Sequence, residues 1–253
     1  MMMAVRRKAL LTLLLVLVAV IFSVQDAELN FGEIRELPNS ADFLAQMWPL
    51  DFSMLGHSLE ETLITVEIAF LGTLAGLVVS FPLAFLAARN TSPHPTVYNG
   101  VRSFLTFLRS VPELVLALIF VPTFGLEPLT VIMALFLHNG AVLGKLLSEL
   151  VEAAEPGPQE AVASTGARGV LVALYGIVPQ IFPNILSHSF YRFEVGVRSS
   201  LLFGAIGAGG IGDVLYLHFK TFEYAAMAVD VLLIMVLIWF LDYMGSYFRA
   251  KVI

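Results

Sequence analysis

The chain has 253 residues, of which 58% are apolar and 13% are charged, about half the charged share of a soluble domain. A soluble core cannot hide that much apolar surface, and a formal net charge of −6 argues against a nucleic-acid partner, which calls for a basic patch. The absence of cysteine excludes a disulfide framework, thiolate zinc sites and iron–sulfur clusters.

Crossing ~30 Å of hydrocarbon takes about 20 apolar residues, and such runs predict an all-α polytopic membrane protein with about six transmembrane helices. The first runs from Ala9 to about Val24, behind Arg6, Arg7 and Lys8. It reads as an uncleaved anchor helix. A cleaved signal peptide is the alternative, but Phe22-Ser23-Val24-Gln25-Asp26 offers no clean A-x-A site. The second runs from about Leu59 to Ala88, the third from Phe104 to Pro122 and the fourth from Leu129 to Leu147. A fifth begins near Val170 and is badly interrupted, and the last covers about Ala225 to Phe248.

Positive charge sets orientation. Arg6, Arg7, Lys8, Arg89, Arg102, Arg168, Arg249 and Lys251 fall on one side of a six-span layout, and only Arg35 and Lys220 on the other. Both termini are therefore expected in the cytoplasm. The Gln25–His57 loop, with Asp26, Glu28, Glu33, Glu36, Asp42 and Asp51, is expected outside.

One cytoplasmic connection is long, Ser148 to Arg168. Pro156, Gly157 and Pro158 break the chain. A short helix then fits Gln159–Thr165, with Pro158 near its start and Gly166 as its stop. Glu160 near the start and Arg168 past the end suit the helix dipole. The helix is too polar to insert, and it reads either as a solvated loop or as a docking element.

Further along, Gly207, Gly209 and Gly212 spell G-x-G-x-x-G, with Asp230 about 20 residues on. A dinucleotide site needs a preceding strand in a βαβ unit, and the flanks here are apolar spans. The stretch, Gly210 included, reads as a helix break or close packing site.

Ionisable groups within spans cost at least ~2.5–3.5 kcal/mol each on insertion scales and normally face a bundle interior or a wet pathway. Arg109, Ser110 and Glu113 flank Pro112, which kinks the third span. Arg192, Glu194, Arg198 and Ser200 follow in the fifth. They read either as structural ion pairs, Glu113 with Arg109 and Glu194 with Arg198, or as a cationic lining for an anionic solute. Arginine suits phosphate-like oxyanions through bidentate hydrogen bonds. Glu67, Asp230 and Asp242 are further intramembrane acids without an assigned role. The five histidines have no metal-ligand spacing, and no Ser–His–Asp set stands out.

Several of these motifs share one resemblance. Glu160-Ala161-Val162, Gly166 and Pro179 resemble the EAA motif of ABC importer permeases: Glu-Ala-Ala, three residues, Gly, nine residues, Ile, one residue, Leu, Pro. Val162 departs from it, as do Gly176 in place of Ile and Val178 in place of Leu. Arg109-Ser110-Val111-Pro112-Glu113, Tyr191-Arg192-Phe193-Glu194 with Arg198 and Ser200, and the Gly207–Gly212 run resemble the phosphonate-type branch. The resemblance covers roughly Glu60 to the C-terminus. It implies a type I ABC importer permease fold over residues 58–253, preceded by an anchor helix and external loop over 1–57. It also implies a second permease copy, cytoplasmic ATP-binding subunits and an external solute-binding protein, in a cytoplasmic (inner) membrane. In that family the loop at about 148–168 is the coupling helix seated on the ATPase. The expected cargo is phosphonate, phosphite or phosphate, moved by alternating access. ATP and magnesium belong to the partner, since no G-x-x-x-x-G-K-[ST] occurs here, and no metal site is expected. Two alternatives are a stand-alone secondary transporter, which would place its site between internal repeats, and a membrane-embedded enzyme, which would need a convergent catalytic set.

Overall fold

A computed structural model describes residues 2–27 and 37–252. The expected loop charges Glu28, Glu33, Arg35 and Glu36 lie outside the described residues. The chain divides into two compact units, Met1–Trp48 and Pro49–Ile253. The first contains α1 (Met2–Asp26) and α2 (Leu37–Ala45). The apolar stretch Arg6–Gln25 of α1 is long enough to cross a membrane and has no buried residue.

The second unit is built on α3 (Leu55–Leu86) and α6 (Pro128–Ala153). These helices touch backbone to backbone because small residues face each other. A Cβ on Gly76 would lie 2.9 Å from the Gly140 nitrogen, and one on Gly72 would lie 2.7 Å from Leu135 Cβ. Close approach of this kind supplies the van der Waals contact that holds helices together in lipid, where no hydrophobic drive separates helix from tail. Gly76→Ala should therefore destabilise the bundle by about 1–3 kcal/mol through overpacking. Gly100→Ala, whose Cβ meets nothing within 4 Å, should stabilise its helix by up to ~1 kcal/mol. Thermal unfolding in detergent reads both signs.

The expected third span is not one straight helix. It is α4 (Pro95–Ser110) and α5 (Glu113–Phe124), bent by 89° at Val111-Pro112. The proline forces the residue before it out of the helical region, and Val111 sits at φ −83°, ψ 122°. Among the described residues five helices are long and apolar enough to cross a membrane, and six spans result if the bent pair counts as one.

The fifth span shows the opposite departure. It is not badly interrupted but runs over Gly169–Gly204, 36 residues, as α8 (Gly169–Val172), a π turn (Ala173–Ile177) and α9 (Val178–Gly204). Pro179 has no N–H for the carbonyl four residues back and its ring crowds that group. The chain widens by one residue to relieve this, with Val178 N–H donating to Ala173 O.

The glycine run then breaks the helix. Gly207, Gly209 and Gly210 have φ of +84°, +84° and +81°, a region that favours glycine. A Cβ on Gly204 would meet the backbone of Gly212 and Asp213, and one on Gly212 would meet Leu201. α10 (Ile211–Lys220) starts there, and α11 (Tyr224–Val252) completes the bundle. Thr65 Oγ1 accepts from Ile211 N–H at 2.9 Å and Glu61 from Gly210 N–H at 3.0 Å, so α3 caps α10.

Between α6 and α8 lies α7 (Pro156–Ala163). It begins three residues before the expected Gln159, because Pro156 and Pro158 fall in the first turn, whose N–H groups lack helical partners in any case. It ends at Ala163, and Gly166 turns the chain at φ +81°.

Candidate functional site

The bend between α4 and α5 carries the most polar part of the bundle interior. Glu113 opens α5, Asn139 and His138 sit mid-way along α6, and Arg192 sits on α9. Arg192 donates from Nε (2.9 Å) and Nη2 (2.5 Å) to Asn139 Oδ1, and from Nη2 to Glu113 Oε1 at 3.0 Å. Asn139 Nδ2 donates in turn to Thr73 Oγ1 on α3 at 2.9 Å. His138 Nδ1–H donates to the Val111 carbonyl at the bend (3.2 Å), and its Nε2 lies 3.4 Å from Glu113 Oε1. Four helices are thus tied to one guanidinium. The expected Glu113–Arg109 pair is corrected: Glu113 pairs with Arg192, because the bend carries Arg109 onto a different axis from α5.

A second cluster joins α9 to α11. Arg198 Nη2 donates to Glu194 Oε1 at 2.9 Å and to Asp242 Oδ1 at 2.6 Å. Arg249 Nη1 stands 3.6 Å from Glu194 Oε2, a buried oxygen without a hydrogen bond. The expected Glu194–Arg198 pair is present, and Asp242 joins it. The Arg198 and Asp242 side chains are 40% and 50% exposed, so this cluster opens onto a surface, unlike the first.

Arg109 and Ser110 end α4 on its exposed side. Before them in the same helix Thr96, Asn99, Ser103 and Thr106 recur at helical spacing, all exposed, so one face of α4 is polar over its whole length. Arg109 has no ion pair among the described residues, whereas Arg102 is paired with Glu152 at 2.9 Å. Ser200 is buried and donates to its own helix at Gly196 O, 2.9 Å. Glu67 is exposed on α3.

Where α10 meets α11, Asp230 is fully buried and accepts from Ser58 Oγ and His218 Nδ1, each at 2.6 Å. The carboxylate sits between hydroxyl and imidazole, which is a clasp and not a nucleophile relay. Outside the spans, Ser53 N–H donates to Asp51 at 2.9 Å and holds that carboxyl below the ordinary carboxylate range. No metal-ligand group occurs among the described residues.

α7 is exposed apart from its seat on the π turn. Gly176, where the related pattern has isoleucine, is the reason it can sit there: a Cβ would lie 2.9 Å from Gln159 Cα. Gln180 locks the seat, accepting from Glu155 N–H at 3.0 Å and donating to Glu155 O at 3.2 Å. Glu160, Ala161 and Gly166 lie on the exposed part, and Pro179 shapes the π turn. Sequence reasoning missed Thr73, Asn139 and Gln180, took His138 only as one of five histidines without metal spacing, and met Gly176 only as a departure from the related pattern. A His-Asn pair in the middle of an apolar span was the available signal for His138 and Asn139.

These features define a membrane-embedded helical transport subunit with an exposed helix held between two of its spans. The chain belongs to the family of binding-protein-dependent transport system inner membrane components, which matches residues 80–253. It is 34% identical over 215 residues to the phosphate-import permease protein PhnE of Mycolicibacterium smegmatis, covering 85% of this chain and 40% of that one. It is 35% identical over 216 residues to the phosphite transport system permease protein PtxC of Stutzerimonas stutzeri, covering 85% and 78%. The fold matches a chain of the inward-facing MetNI methionine ABC transporter with a TM-score of 0.71 at 18% identity, over 81% of this chain and 100% of that one. The chain is therefore a permease-type transport subunit and not an enzyme, and family membership sets aside the stand-alone secondary transporter.

Proposed function

We propose that the chain is the membrane-spanning subunit of an ATP-driven importer of phosphonate-like oxyanions: phosphonate, phosphite or phosphate. Two copies form the pathway between them in the cytoplasmic membrane, with both termini in the cytoplasm. ATP and magnesium are held by separate ATP-binding subunits on which α7 docks through Glu160 and Ala161, with Gly166 turning the chain back into the membrane. A solute-binding protein delivers the cargo from outside. The names of the relatives support the cargo class.

The observation that carries the reading is the polar stripe of α4 ending at Arg109. A polar helix face in contact with lipid is costly. Hydroxyls and an amide hold an oxyanion weakly, and weak multi-site binding is what a pathway requires for exit. Arg109, which has no ion pair among the described residues, supplies positive charge at the end of the stripe, and a lone, unneutralised guanidinium binds phosphate-like groups well; the proposed lining also takes in Arg198, which is held between Glu194 and Asp242. Arg109→Ala should lower phosphite uptake at least about tenfold, the loss of one charge-assisted contact. The assembled transporter in proteoliposomes measures it. Unchanged rate and unchanged substrate range in both Arg109→Ala and Arg198→Ala would remove the cationic lining.

A further inference from the structure

Arg192 and Glu113 are paired in an incomplete way. Guanidinium and carboxylate have matching forks that normally meet through two parallel bonds. Here they meet through one, Nη2 to Oε1 at 3.0 Å. Arg192 Nη1 and Glu113 Oε2 have no hydrogen bond among the described residues, although the side chains are only 10% and 14% exposed. Neither atom is enclosed, since Glu194 Oε2 is the one buried side-chain atom without a hydrogen bond among the described residues, so the unused edge of the pair is open to an incoming group. The two partners are also held very differently. Arg192 is anchored by two bonds to Asn139, which Thr73 fixes in turn. Glu113 is the first residue after the Pro112 bend, and besides Arg192 its one ion-pair partner among the described residues is His138, at 3.4 Å.

We propose that the Glu113 carboxylate is an internal stand-in for the transported oxyanion. It occupies Arg192 in the empty subunit, and an incoming tetrahedral oxyanion displaces it by taking the Nη1–Nη2 edge that Glu113 leaves half used. Displacement frees the start of α5 from α9 and so releases the bend, linking cargo arrival to movement of the broken span. Arg192 stays in place throughout, because Asn139 and Thr73 preorganise it. This inference rests on the oxyanion reading above.

The test is the affinity of the assembled permease–ATPase complex in detergent for phosphite and for methylphosphonate, by titration calorimetry without binding protein. Glu113→Gln removes the competing charge at constant shape. It should tighten oxyanion binding about 10- to 100-fold, the factor by which an internal competitor lowers apparent affinity. Binding of methionine serves as the control and should stay absent. If Glu113→Gln does not assemble, Glu113→Asp keeps the charge but shortens its reach, and it should tighten binding by a smaller factor. Wild-type binding with unchanged or weaker affinity in the assembling variant overturns the stand-in and leaves the oxyanion reading intact. If no phosphonate, phosphite or phosphate binds to wild type or variant, the oxyanion reading fails and takes this inference with it.

Discussion

Arg192→Ala should abolish transport and destabilise the bundle by about 3–5 kcal/mol, the cost of leaving one member of a buried pair uncompensated. The alanine strands Glu113 beside His138 and removes both donors to Asn139 Oδ1, so four helices lose a common tie. Arg192→Ala combined with Glu113→Ala should recover part of that loss, because no charge is then left without a partner. Transport should stay absent in the double variant, since the proposed oxyanion site still lacks its guanidinium. Thermal unfolding of the purified complex and uptake in proteoliposomes separate the two effects. Equal destabilisation of single and double variants would mean that Arg192 acts by packing alone.

Gly176→Ile should uncouple the machine while leaving the spans intact. Isoleucine is the residue of the related pattern, so the substitution looks harmless in sequence. In this fold a Cβ at 176 falls 2.9 Å from Gln159 Cα, and backbone cannot swing aside as a long side chain can. α7 must lift from its seat, breaking the Gln180–Glu155 bonds at 3.0 and 3.2 Å. Uptake per ATP hydrolysed should fall at least about tenfold, because a small misplacement of a rigid contact is that costly. Gly176→Ala should fall between the two. Unchanged uptake per ATP in Gly176→Ile would show that α7 is not held by this seat.

Much of this architecture is readable from the sequence, because apolar length and charge bias are strong, local signals. The spans fall near their expected places, and the chain bends at Pro112 and breaks at Gly207–Gly210 as expected. What escapes reading is contact between elements distant in sequence. Of the two readings of these charges, the ion-pair one joins Glu113 to the neighbouring Arg109, as a continuous helix would, but an 89° bend replaces that neighbour with a residue 79 positions away. Ser58 and Asp230 meet across 172 positions, and neither flank hints at the other. The prolines act differently in the two spans. The kink expected at Pro112 is an 89° bend, while Pro179 and Pro183 are absorbed into α9 of the fifth span. The difference lies in the preceding backbone: Val111 turns extended, whereas Val178 stays helical by widening one turn. Gly176 was legible only as a departure from a pattern, and its purpose needed the position of α7.

The central claim is that this subunit carries phosphonate-like oxyanions at the expense of ATP. It is tested most directly with proteoliposomes holding the assembled transporter, its binding protein outside and the nucleotide sites supplied with ATP from within. The predicted result is accumulation of labelled phosphite or methylphosphonate that stops without ATP and falls at least about tenfold in Arg109→Ala. Accumulation that persists without ATP, or uptake of methionine with no uptake of any of the three oxyanions, would contradict it.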